Sequence, residues 1–162
     1  MFKPGNIVYH DKLVFNDNQI DQKEKRPCVV IFSKIIDDKE YICTCPLTSQ
    51  IKSFNKNPHK YCLIKEVVYN YKKLSFASIG NIKLQEENNT YYTNINIDDI
   101  SVEIIRNKLL QYNSKKNKEY FEKIKEYLLE TIKEEEKQKK KEKRIKKELK
   151  KQIRRTSKLQ IN

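Results

Sequence analysis

The chain has 162 residues, with 35 Lys or Arg against 22 Asp or Glu, a formal net charge of +13 and a sequence pI of about 9.5. That length fits one domain, or one small domain with an appendage. No apolar run approaches the ~20 residues that a bilayer span needs, and the opening MFKPGNIVYH lacks the apolar segment of a secretory signal. The expectation is a cytoplasmic protein with no membrane partner.

The charge is unevenly placed. Residues 137–158 hold 13 Lys or Arg and 2 Glu, which is +11 of the total, whereas residues 1–136 hold 22 basic and 20 acidic side chains. A near-neutral globule therefore precedes a basic tail. Only five of the 35 basic residues are Arg, and the abundance of Lys, Asn, Ile and Tyr is the mark of AT-rich coding.

Pro4-Gly5 is a turn that launches a first strand through His10. Residues 11–26 are too polar after Phe15 to be core and read as a long loop, of the kind that is functional or disordered in small domains. Cys28–Ser33 (CVVIFS) is a continuous β-branched run, the pattern of a strand buried on both faces. Asp37-Asp38-Lys39 makes a turn into the partner strand Glu40–Leu47, which ends near Pro46 as a strand end or edge should. Residues 52–60 (KSFNKNPHK) read as a polar loop. Further short strands are expected at Tyr61–Ile64, Leu74–Ile79, Asn81–Leu84 and Tyr91–Ile97. Five to seven short strands with few crossover helices predict a closed or half-open small barrel.

At Ile97 the period changes. Asp98 or Asp99 can cap a helix carrying apolar residues at 100, 104, 105, 109 and 110. After the break at Asn113-Ser114 a second stripe follows, Tyr120, Phe121, Ile124, Tyr127, Leu128 and Ile132, thinning to Ile145, Leu149 and Ile153 on a charged rod. Cys28, Cys43, Cys45 and Cys62 fit small buried hydrophobes, since disulfides are rare in the expected compartment and the CxC spacing lacks the gap of a zinc knuckle. No metal or cofactor is expected.

The order of these features resembles the MazF/PemK family of toxin endoribonucleases. The matching pieces are Pro4-Gly5-Asn6-Ile7-Val8, then Arg26-Pro27-Cys28-Val29-Val30-Ile31, then Pro46-Leu47-Thr48-Ser49. The likeness covers residues 2–112; the C-terminal extension has no counterpart in the ordinary member. The late strand KLSFASIGNIK matches loosely, with Ser75, Ser78 and Asn81 as its polar positions. The PLTS piece is also similar to related toxins that RNA, rather than protein, neutralises.

The resemblance implies a mainly β chain with C-terminal α structure: a small SH3-like barrel with one packed helix over residues 1–112, and a Lys/Glu-rich helical extension over 113–162. It implies a toxin of a toxin–antitoxin pair that cuts single-stranded RNA without a metal, leaving a 2′,3′-cyclic phosphate and a 5′-hydroxyl. It further implies a homodimer and a cognate antitoxin, protein or RNA. Arg26, Thr48 and Ser49 are the candidate catalytic residues, with Lys25, Gln50, Lys52, Phe54 and His10 as candidate RNA contacts. The chemistry suits these types. A guanidinium fork pairs bidentately with phosphate, and a hydroxyl beside it donates and positions. Arginine does not deprotonate, so Tyr9 or His10 is the better candidate for moving a proton.

Each residue alone has a plainer reading. An Arg before a strand is commonly a solvated edge charge, and Thr48-Ser49 is a turn that satisfies its own backbone. The alternative function is a non-catalytic nucleic-acid-binding barrel anchored by a basic helix. A poison of DNA gyrase on a related fold is a third reading, for which no residue specifically argues.

Overall fold

A computed structural model describes residues 1–10, 26–64, 74–88 and 90–159. The elements are β1 (Asn6–His10), β2 (Pro27–Ile36), β3 (Lys39–Thr48), α1 (Ile51–Lys56), β4 (Tyr61–Ile64), β5 (Ser75–Ser78), β6 (Lys83–Glu86), β7 (Thr90–Asn96), α2 (Asp99–Gln111) and α3 (Lys118–Leu159). The expected loop at 11–25 lies outside the described residues.

The β2–β3 hairpin is the spine. Ile36 pairs with Lys39 across a two-residue turn in which Asp37 and Asp38 both take positive φ, 49° and 60°. Positive φ at both central positions is the primed turn that matches strand twist, and Asp tolerates it through its short polar side chain. Along β2 the pairing slips between Val30 and Phe32, a bulge at Ile31. A bulged residue loses its ladder partner. Here the carbonyl of Ile31 accepts from Nε and Nη2 of Arg106 on α2, at 3.0 and 2.9 Å. That pair of bonds ties the helix to the kink in the sheet.

β3 serves two partners in succession on its other edge. Tyr41–Thr44 pair with β6, and Leu47–Thr48 pair with β5, which in turn pairs with β4. On the β2 side the sheet continues through β1 to β7. The seven strands are all antiparallel and follow the path β4-β5-β3-β2-β1-β7, with β6 branching from β3. Among the described residues the ends of this path do not pair, so the sheet is open. A mainly β body followed by C-terminal helix is what the sequence led us to expect; closure is not seen.

The core is aliphatic. Ile7, Val29, Ile31, Phe32, Ile42 and Leu47 from the sheet are fully buried, together with Ile105 and Leu109 of α2 and Ile124 and Leu128 of α3. Asp98 caps α2 by accepting from the Ser101 amide at 2.6 Å. Two details depart from the expected pattern. α2 buries Ser101, Val102, Ile105 and Leu109, leaving Ile100 and Ile104 exposed. The polar stretch 52–60 forms α1 and a 3-10 turn at Pro58–Lys60 rather than a loop. By its contacts the chain divides into two units, Met1–Leu128 and Leu129–Asn162. The first turns of α3 thus contribute Phe121, Ile124 and Leu128 to the first unit's core.

Thr44, fully buried in the middle of β3, leaves its hydroxyl without a hydrogen-bond partner. Thr44→Val keeps the shape and removes that desolvated group. Unfolding by denaturant should show a gain of about 1 kcal/mol; a lower midpoint would mean that the hydroxyl is satisfied after all.

Candidate functional site

Strand register assembles the site. Cys28 pairs with Pro46 in the last pair of the β2–β3 ladder; Arg26 stands two residues before Cys28, just ahead of β2, and Thr48 two residues after Pro46, at the end of β3. Tyr9 pairs with Pro27 in the last pair of β1 with β2, and His10 follows Tyr9 at the end of β1. Thr48 itself pairs with Phe76 of β5, and His10 with Thr90 of β7. The end of β3, the start of β2, the end of β1 and the start of β7 therefore lie on one side of the sheet, with β5 beside β3. Because alternate residues of a strand share a face, Thr48 shares one with Pro46 on β3. Arg26 and Thr48 are both half-buried.

After Thr48 the chain turns into α1. The hydroxyl of Thr48 accepts from the Gln50 amide at 3.3 Å, the local hydroxyl-to-backbone turn that its sequence context suggests. This bond occupies an acceptor site of Oγ1 and leaves the O–H proton to donate. Ser49, Gln50 and Lys52 are exposed at this turn, and Gln50 caps α1 through its main chain, with Ser53 donating to its side-chain oxygen at 3.4 Å. Phe54 stacks on Phe76, ring centroids 4.9 Å apart. Since Phe76 is the partner of Thr48, this stack fixes α1 over the end of β3. Part of the Phe54 ring is thus spent on structure.

Lys25 lies outside the described residues. Tyr9 is half-buried and opposite both Pro27 and Tyr91. Of the late-strand polar residues, Ser78 accepts from the Asn81 amide group at 2.8 Å, while Ser75 is fully buried with an unpartnered hydroxyl. Thr48, Ser49, Gln50 and Lys52 thus follow one another through the turn from β3 into α1, while Ser78 and Asn81 satisfy one another.

Lys83 was not singled out by any motif. It pairs with Thr44, four residues before Thr48 on β3. Burial pushes its ammonium below the ordinary lysine range, and its charge opposes part of the rise that burial imposes on the neighbouring Cys28 thiol. It borders a groove of about 400 Å³ with Gln85, Asn117 and Tyr120. Lysine in an alternating strand carries no sequence signal that would distinguish it.

The four cysteines are free and buried. Desolvation raises the Cys28 thiol to about 12, despite the opposing pull of Lys83, and pushes Cys43 and Cys45 well up as well. They are neutral thiols at physiological pH, which suits packing and not nucleophilic attack. Among the described residues no group of His, Cys, Asp and Glu is arranged to hold a metal. No helix among them is long and apolar enough to cross a membrane. No family model matches the chain, and no curated protein matches it.

Proposed function

We propose that the protein is a metal-independent endoribonuclease of the MazF/PemK kind, acting on single-stranded RNA as the toxin half of a toxin–antitoxin pair, and that its open sheet is a diverged SH3-like barrel. One observation supports the reading: the β2–β3 ladder ends at the Cys28–Pro46 pair, with Arg26 and Thr48 each two residues beyond it at the same end of the hairpin. In RNA cleavage of this type the neighbouring 2′-hydroxyl attacks the phosphorus and the 5′-oxygen leaves. Negative charge builds on the non-bridging oxygens. The Arg26 guanidinium holds two of those oxygens at once, and donors preorganised toward developing charge are commonly the largest catalytic term. Thr48, its oxygen already held by the Gln50 amide, directs its remaining proton to the same phosphate. Ser49, Gln50 and Lys52 line the exposed path beside it, where the RNA backbone would run.

A homodimer and a cognate antitoxin, protein or RNA, belong to the same proposal. Ile100 and Ile104 on α2 present the aliphatic surface that a second copy would cover. A second reading, an RNA-binding module that does not cut, draws on one observation: the Thr48 hydroxyl already serves its own turn. Cleavage by the wild type separates the two, and Thr48→Val then tests the residue. Assayed on a long single-stranded RNA, it should cut about 10- to 100-fold more slowly than the wild type, the loss of one oriented donor. Equal rates would remove Thr48 from the chemistry.

A further inference from the structure

The second unit continues α3 as a helix to Leu159, and residues 136–157 are exposed without exception. Its charge is not spread evenly around it. At 3.6 residues per turn, the twelve Lys and Arg between 137 and 155 fall within an arc of about 220°. No basic residue enters the remaining sector. There Ile145, Leu149 and Ile153, all at least half exposed, share the surface with Gln138, Glu142 and Gln152. Among the acids of this segment Glu142 lies in that sector, and Glu148 lies at the margin of the cationic arc. A tail that was merely rich in lysine would place cations all round.

We infer that the cationic arc of residues 137–155 is a second nucleic-acid-binding element, which takes the phosphate backbone of RNA without reading its sequence. The choice of RNA rests on the proposed function; the arc itself does not. Twelve cations along roughly 28 Å of helix meet a polyanion that releases its counterions on binding. A lipid surface fits this geometry poorly. A helix lying on a bilayer turns its apolar side inward, and here the centre of the cationic arc lies opposite the aliphatic sector, so most of the charge would face away from the headgroups. The aliphatic sector is also thin, with three branched side chains and no aromatic.

The test uses the full chain with Lys139, Lys140, Lys143, Lys147 and Lys150 all changed to Gln, a residue of similar helix propensity. Far-UV circular dichroism checks that the helix persists. A second variant, Ile145→Gln with Leu149→Gln, alters the aliphatic sector alone. The probe is a fluorescent single-stranded 2′-O-methyl RNA of mixed sequence, which lacks the attacking hydroxyl and so reports binding whether or not the protein cuts. Anisotropy is read across a KCl series. The five-site variant should bind at least tenfold more weakly at 100 mM salt, with a log K against log salt slope shallower by about 3. The aliphatic variant should match the wild type within about twofold. An unchanged constant and slope in the five-site variant would overturn the inference. So would loss of binding in the aliphatic variant alone, or displacement of the RNA by vesicles of anionic phospholipid but not by an unlabelled polyanion. A wild type that binds through the arc yet leaves unmodified RNA intact would instead fail the proposed function and keep this one.

Discussion

Arg26→Ala is expected to slow RNA cleavage by at least about 10²- to 10³-fold, the loss seen when a preorganised donor to developing charge is removed. Arg26 precedes Pro27 at the start of β2, half-buried and outside the fully buried core. Arg26→Lys is the sharper variant. It keeps the charge but replaces a planar fork with a point charge. If the guanidinium grips two phosphate oxygens, lysine recovers only part of the rate and the loss appears in kcat. If Arg26 only attracts RNA by its charge, lysine restores nearly everything and the alanine defect disappears at saturating RNA. Single-turnover cleavage rates on one substrate, with each variant's thermal melt alongside, make this comparison.

The second large effect is on stability. Gly5→Ala should cost about 3 kcal/mol, through left-handed strain and the weakening of buried backbone hydrogen bonds. Gly5 sits at φ +89°, and a Cβ added there would lie 2.8 Å from the Ile97 carbonyl oxygen and 3.3 Å from Val102 Cγ2. The backbone has little room to yield. The Gly5 amide donates to Val30 at 2.8 Å, and the Gly5 carbonyl accepts from Ile97 at 2.9 Å. These bonds join the start of β1 to the middle of β2 and to the segment that enters α2. A fall of roughly 10 °C in melting temperature corresponds to such a loss in a domain of this size. A shift within 2 °C would show that the segment adapts and that the glycine is not required.

What the sequence made legible follows from how local each signal is. CVVIFS announced β2 because it is buried on both faces, and Asp98 announced α2 because a cap bond spans only three residues. The places of Arg26 and Thr48 in the chain were legible for the same reason: they stand at the ends of recognisable strands. The register between those strands was not, since it is set by the Asp37-Asp38 turn and altered by the bulge at Ile31. The role of Arg106 in closing that bulge is a contact across 75 positions. α1 went unread because it buries none of its residues, so KSFNKNPHK shows no apolar period. In α2 the apolar stripe was drawn through Ile100 and Ile104, whereas the helix turns Ser101 and Val102 inward. A small serine can face a core as readily as an isoleucine can face solvent, and only packing decides between them.

The central claim is that Arg26 and Thr48 form the centre of an RNA-cutting site. Its most direct test is incubation of the wild-type protein with a long single-stranded RNA in excess EDTA, followed by mapping of the new ends. Cuts are expected at discrete positions, each with a 5′-hydroxyl on one side and a 2′,3′-cyclic phosphate on the other, and at least about 100-fold slower with Arg26→Ala. Intact RNA, 5′-phosphate ends, or equal cutting by the alanine variant would contradict it.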